Sequence, residues 1–289
     1  MAIGACFIAV GQHEEAANDF ALAKKLAAEA QDIELEMEIL RLSPEVEPEP
    51  VWKLRYEEMI QSTLADQYPY VQAKCLHNFG AFLALTSEGK DGLDQITAAM
   101  AVFKSGNYPE YSYSVVLLSA IMLLSGQVSE ARDLLETSEI WCHEQYDTFG
   151  LKTNLGVSYA MEQDWERAFR FFTEAQECLN STEFPLLDPY FRFLSCHNLA
   201  ITKAGLGEFR EAIAMLDSTA VPLNAYDYEP KVVRRKLFLR LLHDYEVPEI
   251  KHLPAGAQRW ATKACVTEPA TLQFFDFNIN VLPPTFALI

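Results

Sequence analysis

The sequence predicts an all-α fold, a stack of helix pairs closed by a short non-helical carboxyl-terminal extension, and three observations carry that prediction. The first is a small residue that recurs twelve positions before another in five places: Gly4 to Ala16, Gly80 to Gly92, Ser119 to Ala131, Gly156 to Ala168 and Ala200 to Ala212. The second is a bulky register around those steps, with Phe7, Leu83, Met122 and Tyr159 three positions after the first small residue and Lys203 as the exception. Phe20, Ile96, Leu135, Phe172 and Leu216 stand four positions after the second. The third is the strength of the helix formers between them. Where two antiparallel helices cross closely, only a small side chain fits at the crossing, and bulky ones fill the grooves beside it. A stack of such pairs builds an extended surface for holding other proteins and usually carries no reaction chemistry of its own.

Taken in order, the chain begins with a short apolar helix, a turn at Gly11 and a long helix from about Glu14 to Leu42, dominated by Ala, Leu, Glu and Lys. Within it Ile33, Leu35, Met37 and Ile39 alternate with Glu34, Glu36 and Glu38, a strand period, but the flanking residues favour helix. Residues 1–42 form an amino-terminal helical hairpin. Residues 43–50, with three prolines and three glutamates, read as an exposed linker. A helix from about Trp52 to Asp66 opens the array of residues 51–220. Its helix pairs are expected near 71–86 and 89–104, 111–125 and 129–145, 148–162 and 164–180, and 190–205 and 208–219. The second small residues are spaced by 39, 37 and 44 positions, the widest interval holding the two-proline loop from Ser181 to Pro189.

Capping helices are expected over 221–262. Lys231, Arg234, Arg235, Lys236 and Arg240 gather on one of them beside the apolar Val233, Leu237, Leu241 and Leu242, which reads as a cap that is polar outside, with a basic interaction face as the alternative. Residues 263–289 form an extended tail, in which Phe275, Phe277, Ile279 and Val281 alternate with polar residues before Pro283 and Pro284. A lone strand needs something to pair with, so this tail is expected along the array, against a partner, or folded back as an autoinhibitory strap.

Composition narrows the function classes. The 289 residues are 50% hydrophobic and can bury a sizeable core. Forty-one acidic against 23 basic side chains give a formal charge of -18, which repels phosphate backbones and fits basic or neutral peptide segments better than nucleic acid. The six cysteines include no C-x-x-C pair and most lie in apolar helical stretches, as reduced core residues do. No apolar run reaches spanning length and the amino terminus lacks a basic leader, so no membrane insertion is expected and the cytoplasm or nucleoplasm is the expected compartment.

One copy of the unit is specific enough to compare with a family. Asn154-Leu155-Gly156-Val157-Ser158-Tyr159, then Trp165-Glu166-Arg167-Ala168 and Phe172-Thr173-Glu174-Ala175, resembles a tetratricopeptide repeat, with the leucine-glycine pair, the tyrosine, the alanines and the phenylalanine in family register. Asn198-Leu199-Ala200 with Gly207-Glu208-Phe209 and Ala212 is similar to the same unit. The other copies depart at Gly92 and Ser119, the intervals exceed the family's 34 residues, and its closing proline is out of register. The resemblance covers roughly residues 1–30 and 70–220. It implies a right-handed superhelical solenoid whose first helices line a concave groove.

Candidate binding residues follow from that register. Asn78, Asn154 and Asn198 stand two positions before the first small residue, where family members that hold extended peptides often carry an asparagine. One carboxamide can both donate to and accept from a backbone, and asparagine is a poor choice for a helix interior on propensity alone. His77 and His197 are expected to border the same surface, with Lys74 and Lys203 as the basic residues available along it. Catalytic chemistry is not expected: Cys142-His143 and Cys196-His197 are helix neighbours about 100° apart, which cannot face each other. No metal site is expected either, since neither Cys75 with His77 nor His243, Asp244, Glu246 and His252 has a recognised ligand spacing. No cofactor is called for. The expected function is therefore a non-enzymatic adaptor or scaffold subunit that holds an extended segment of a partner protein, its oligomeric state left open. The alternatives are a peptide- or small-ligand-sensing regulatory domain and the helical-repeat part of a larger multidomain regulator.

Overall fold

The computed structural model describes residues 13–32, 35, 39, 49–61, 67–85, 89–142, 145–180, 188–218 and 240. Among them the protein is all-α, and no described helix is long and apolar enough to cross a membrane. Ten α-helices are described: α1 (His13–Ala30), α2 (Glu49–Gln61), α3 (Pro69–Leu85), α4 (Gly89–Ser105), α5 (Glu110–Leu124), α6 (Val128–Ser138), α7 (Gln145–Met161), α8 (Trp165–Asn180), α9 (Asp188–Gly205) and α10 (Phe209–Ser218). A short 3-10 turn, Glu139–Trp141, follows α6. They belong to two compact units, one up to Ser114 and one from Val115, so that α5 contributes to both.

In the first unit α1 ends at Ala30, short of the expected Leu42. Gln31 takes a φ of 56°, with its N–H bonded to Ala28 O and the Asp32 N–H bonded to Ala27 O. This left-handed closing turn is usually glycine's, and without glycine it leaves little trace in the sequence. Asp32 Oδ1 then accepts from the Leu35 N–H at 3.0 Å, an N-cap contact, and Leu35 and Ile39 are helical as expected. The helix α2 starts at Glu49, inside the expected linker, because Pro50 in a first turn forfeits only an N–H that has no partner there. Its Tyr56 stacks on Phe79 with centroids 5.4 Å apart. Val71, Cys75, Phe79 and Leu83 form the matching stripe on α3, four residues apart and all buried.

The crossing of α3 with α4 is made backbone to backbone. A Cβ on Gly80 would lie 2.7 Å from Gly92 O, and one on Gly92 would collide with the Ala84 and Gly80 backbones. In the second unit a Cβ on Gly156 would lie 2.6 Å from the Phe172 ring, and Gly205 leaves room for the Trp165 indole. At Gly80, Gly92 and Gly156 the small positions mark close crossings, as the spacing predicts.

One turn recurs with the same bonds. At Asn107 (φ 53°), Gly126 (80°), Gln163 (63°) and Gly207 (84°) the chain turns left-handed, and the next residue's N–H reaches back five residues to Phe103, Met122, Tyr159 and Lys203 O at 2.8–3.0 Å. After the last three, the N–H groups of Ala131, Ala168 and Ala212 bond to Gln127, Asp164 and Glu208 O at 3.0–3.1 Å, which starts the second helix of each pair. In the second unit α7 packs on α6 and α8, and α9 packs on α8 and α10. The helix α6 stops at Ser138 and narrows to the 3-10 turn, short of the expected 145. Residues 1–12, the linker core 43–48, the capping segment apart from Arg240, and the tail 263–289 lie outside the described residues. Arg240 pairs with Asp217 at 3.1 Å.

Candidate functional site

The seven expected binding residues are divided between the units. Lys74, His77 and Asn78 stand on α3; Asn154 stands on α7, and His197, Asn198 and Lys203 stand on α9. Asn154 and Asn198 are 0% exposed, which corrects the expectation that their carboxamides face a groove. Asn154 Nδ2 donates to Val116 O at 2.9 Å and Ser119 Oγ at 3.0 Å, so it ties α7 to α5. Ser119 Oγ in turn donates to Val116 O at 2.8 Å. A buried carboxamide must spend its hydrogens on protein acceptors, and a close-packed neighbouring helix supplies them here.

His77 and His197 are likewise buried, not bordering an open surface. His77 Nδ1 lies 2.8 Å from Ser114 Oγ, whose own hydrogen goes to Glu110 O. A hydroxyl has one hydrogen to give, so Nδ1 is the donor in this chain of bonds. His197 Nδ1 is 3.4 Å from Asn198 Oδ1, and its ring is tilted against Phe193. Lys203 pairs with Glu208 and lies 4.8 Å over the Phe169 ring, while the Lys74 ammonium lies 4.7 Å over Tyr70. Asn78 and Lys74 are half-buried and keep part of their surface.

The signal for this burial was in α5. EYSYSVVLLSAIMLL is apolar around its whole circumference apart from small hydroxyls and its first residue, and such a helix is enclosed rather than half-exposed. The Asn154 donors have their acceptors on that helix.

Sequence spacing gave no sign of a second arrangement, in the second unit. Tyr159 and Phe171 stack with centroids 5.4 Å apart and planes 5° from parallel. The Arg132 and Arg167 guanidinium groups lie 4.2 and 5.3 Å over Tyr159, and Arg170 and Lys152 lie 4.7 and 5.5 Å over Phe171. Such placements are attractive through the ring quadrupole. Arg132 also donates to Ser158 Oγ and O and pairs with Glu162 at 2.7 Å. Lys152 bridges Glu139 at 2.9 Å and Glu174 at 3.0 Å. Its burial pulls the Lys152 pKa down, but the hydrogen bonds and charges of those two carboxylates outweigh that and hold it above the usual lysine value. The ring and cation residues come from three helices, Arg132 from α6, Lys152 and Tyr159 from α7, and Arg167, Arg170 and Phe171 from α8.

The thiols follow the same electrostatics. Burial, reinforced by Asp147 and Glu139, pushes Cys142 up to about 12, so at neutral pH it is a thiol and not a nucleophile. Burial raises Cys178 as well, opposed by Lys152. Among the described residues no group of three His, Cys, Asp or Glu side chains is placed to hold a metal ion. No protein-family model matches the chain, and no curated protein matches it.

Proposed function

We propose that the chain is a non-enzymatic scaffold subunit, a right-handed superhelix of helix pairs similar to tetratricopeptide repeats, that holds an extended, basic or neutral segment of a partner protein. The observation that carries this reading is the recurring turn at Gly126, Gln163 and Gly207, each followed by the same alanine N–H bond. Identical joints repeated along a chain generate a stack, and stacks present extended binding surfaces. Buried ties such as Asn154 to α5 make the stack rigid and leave recognition to side chains that keep exposure. Among them are Asn78 in the first unit, whose carboxamide can both donate to and accept from a backbone, and, independently, Arg170 in the second, whose charge is offset by Glu174 at 3.7 Å. The charge of -18 favours a partner that is not acidic.

Two measurements test this together. Solution scattering should give a radius of gyration well above the ~19 Å expected of a compact globule of this length. A photoreactive residue at position 78 or 170 should cross-link one defined protein in a lysate. A compact particle that cross-links nothing, and that changes size on adding a small-molecule fraction, would replace the scaffold with the sensor.

A further inference from the structure

We propose that the start of α5 and the turn before it form a pocket for a lysine ammonium of the partner, with Glu110 as its counter-charge; this rests on the scaffold reading and names the chemistry of the segment held. Glu110 is only 8% exposed. Its Oε1 accepts from the Tyr70 hydroxyl, and no donor among the described residues reaches Oε2. Carboxyl oxygens removed from water without a partner are costly, and folded interiors nearly always provide one. A donor brought by a ligand meets that need.

The surroundings select the kind of donor. The Tyr70 ring lies 4.4 Å from Tyr108 and meets Phe103 edge-on at 6.2 Å. Two ammonium groups already lie on tyrosines of this corner, Lys74 over Tyr70 at 4.7 Å and Lys104 over Tyr111 at 5.4 Å. Ring faces and a carboxylate together favour a cation and repel an anion. Lysine fits better than arginine, because a guanidinium fork seeks two carboxyl oxygens and Tyr70 already holds one, whereas an ammonium is a compact point donor. An N–H is required for Oε2, which disfavours a trimethylated lysine. Tyr108 is 36% exposed and is the most exposed ring of this cluster. It lies against Gly106, where any Cβ would strike the ring, so the entering chain passes beside Tyr108.

The test titrates the full-length chain with Nα-acetyl-lysine amide and with its arginine, trimethyl-lysine and norleucine counterparts, following the ring resonances of Tyr70 and Tyr108. Lysine should saturate the shifts, and the other three should bind about tenfold more weakly or worse, as loss of a charged hydrogen bond implies. Glu110→Gln keeps an acceptor for Tyr70 and should lose lysine binding by a similar factor. Tyr108→Leu, at a partly exposed position, should weaken it several-fold with unchanged helicity, and decides the matter if Glu110→Gln fails to fold. No saturable shift with lysine, norleucine binding as tightly, or folded Glu110→Gln binding like the parent would each overturn the pocket. The two readings fail separately: a partner cross-linked at position 78 without lysine binding removes the pocket alone, and lysine binding with no partner and a compact particle removes the scaffold alone.

Discussion

Asn154 is the residue on which the register and the packing disagree. Its position suggested a peptide contact, yet its Nδ2 hydrogens go to Val116 O and Ser119 Oγ inside the protein. Replacing it by alanine should therefore act on stability, by about 1–3 kcal/mol from two lost hydrogen bonds, measured as a lower urea midpoint with unchanged slope. A stable Asn154→Ala that loses a partner would restore the groove role. Cys142 gives a second prediction at this scale. Its folded pKa of about 12 lies above the ordinary thiol value near 9.0, so the neutral thiol is favoured by folding. That contribution is complete below pH 9 and is lost as pH rises from 9 towards 12. Lys152, also raised, adds the same sign above the ordinary lysine range. Stability should thus decline through the alkaline limb, and Cys142→Ser should flatten its first part. At pH 8 the thiolate population of Cys142 should be roughly a thousandfold below that of a free thiol, and peptide mapping after alkylation should find it slow. Rapid labelling in the native state would contradict the burial that raises it.

At the scale of elements, the small-residue steps were the most legible feature, because a close crossing leaves few side chains to choose from. They located α3 with α4, α7 with α8 and α9 with α10 to within a few residues. The break at Gln31 was not legible, since a left-handed closing turn made by glutamine lacks the usual glycine. Burial of the first helices was legible only in α5, whose apolar residues run all round; in α7 and α9 the polar residues that suggested a groove are the ones used for internal ties. The crossings give a graded prediction. Glycine to alanine gains about 1 kcal/mol of helix propensity, and overpacking costs 1–3 kcal/mol or more. At Gly92 the opposing atoms are backbone and cannot yield, so Gly92→Ala should destabilise clearly. At Gly156 the opposing group is the Phe172 ring, which can tilt, so Gly156→Ala should cost less. Thermal melts of the two variants check the order, and equal losses would mean that the Phe172 ring is held as firmly as backbone.

For the molecule as a whole, charge sets two effects against each other. The net -18 makes the folded chain repel itself, and salt screens that repulsion over a Debye length of about 10 Å at 0.1 M. Salt also weakens ion pairs, and several are described, but those of Arg167, Arg170 and Lys25 are largely exposed and so contribute little. The Arg132 and Lys152 side chains are only 19% and 17% exposed, sheltered by their aromatic neighbours, and their pairs are screened less. Self-repulsion is therefore the effect that salt changes most, and the melting temperature should rise by a few degrees between about 0.01 and 0.3 M sodium chloride. Partner binding should move the other way if the held segment is basic, because the same field that opposes folding attracts it. A melting temperature that falls with salt would show that the cation-aromatic cluster, not net charge, governs the electrostatics of folding. Partner affinity that rises with salt would exclude a basic segment and leave a neutral one.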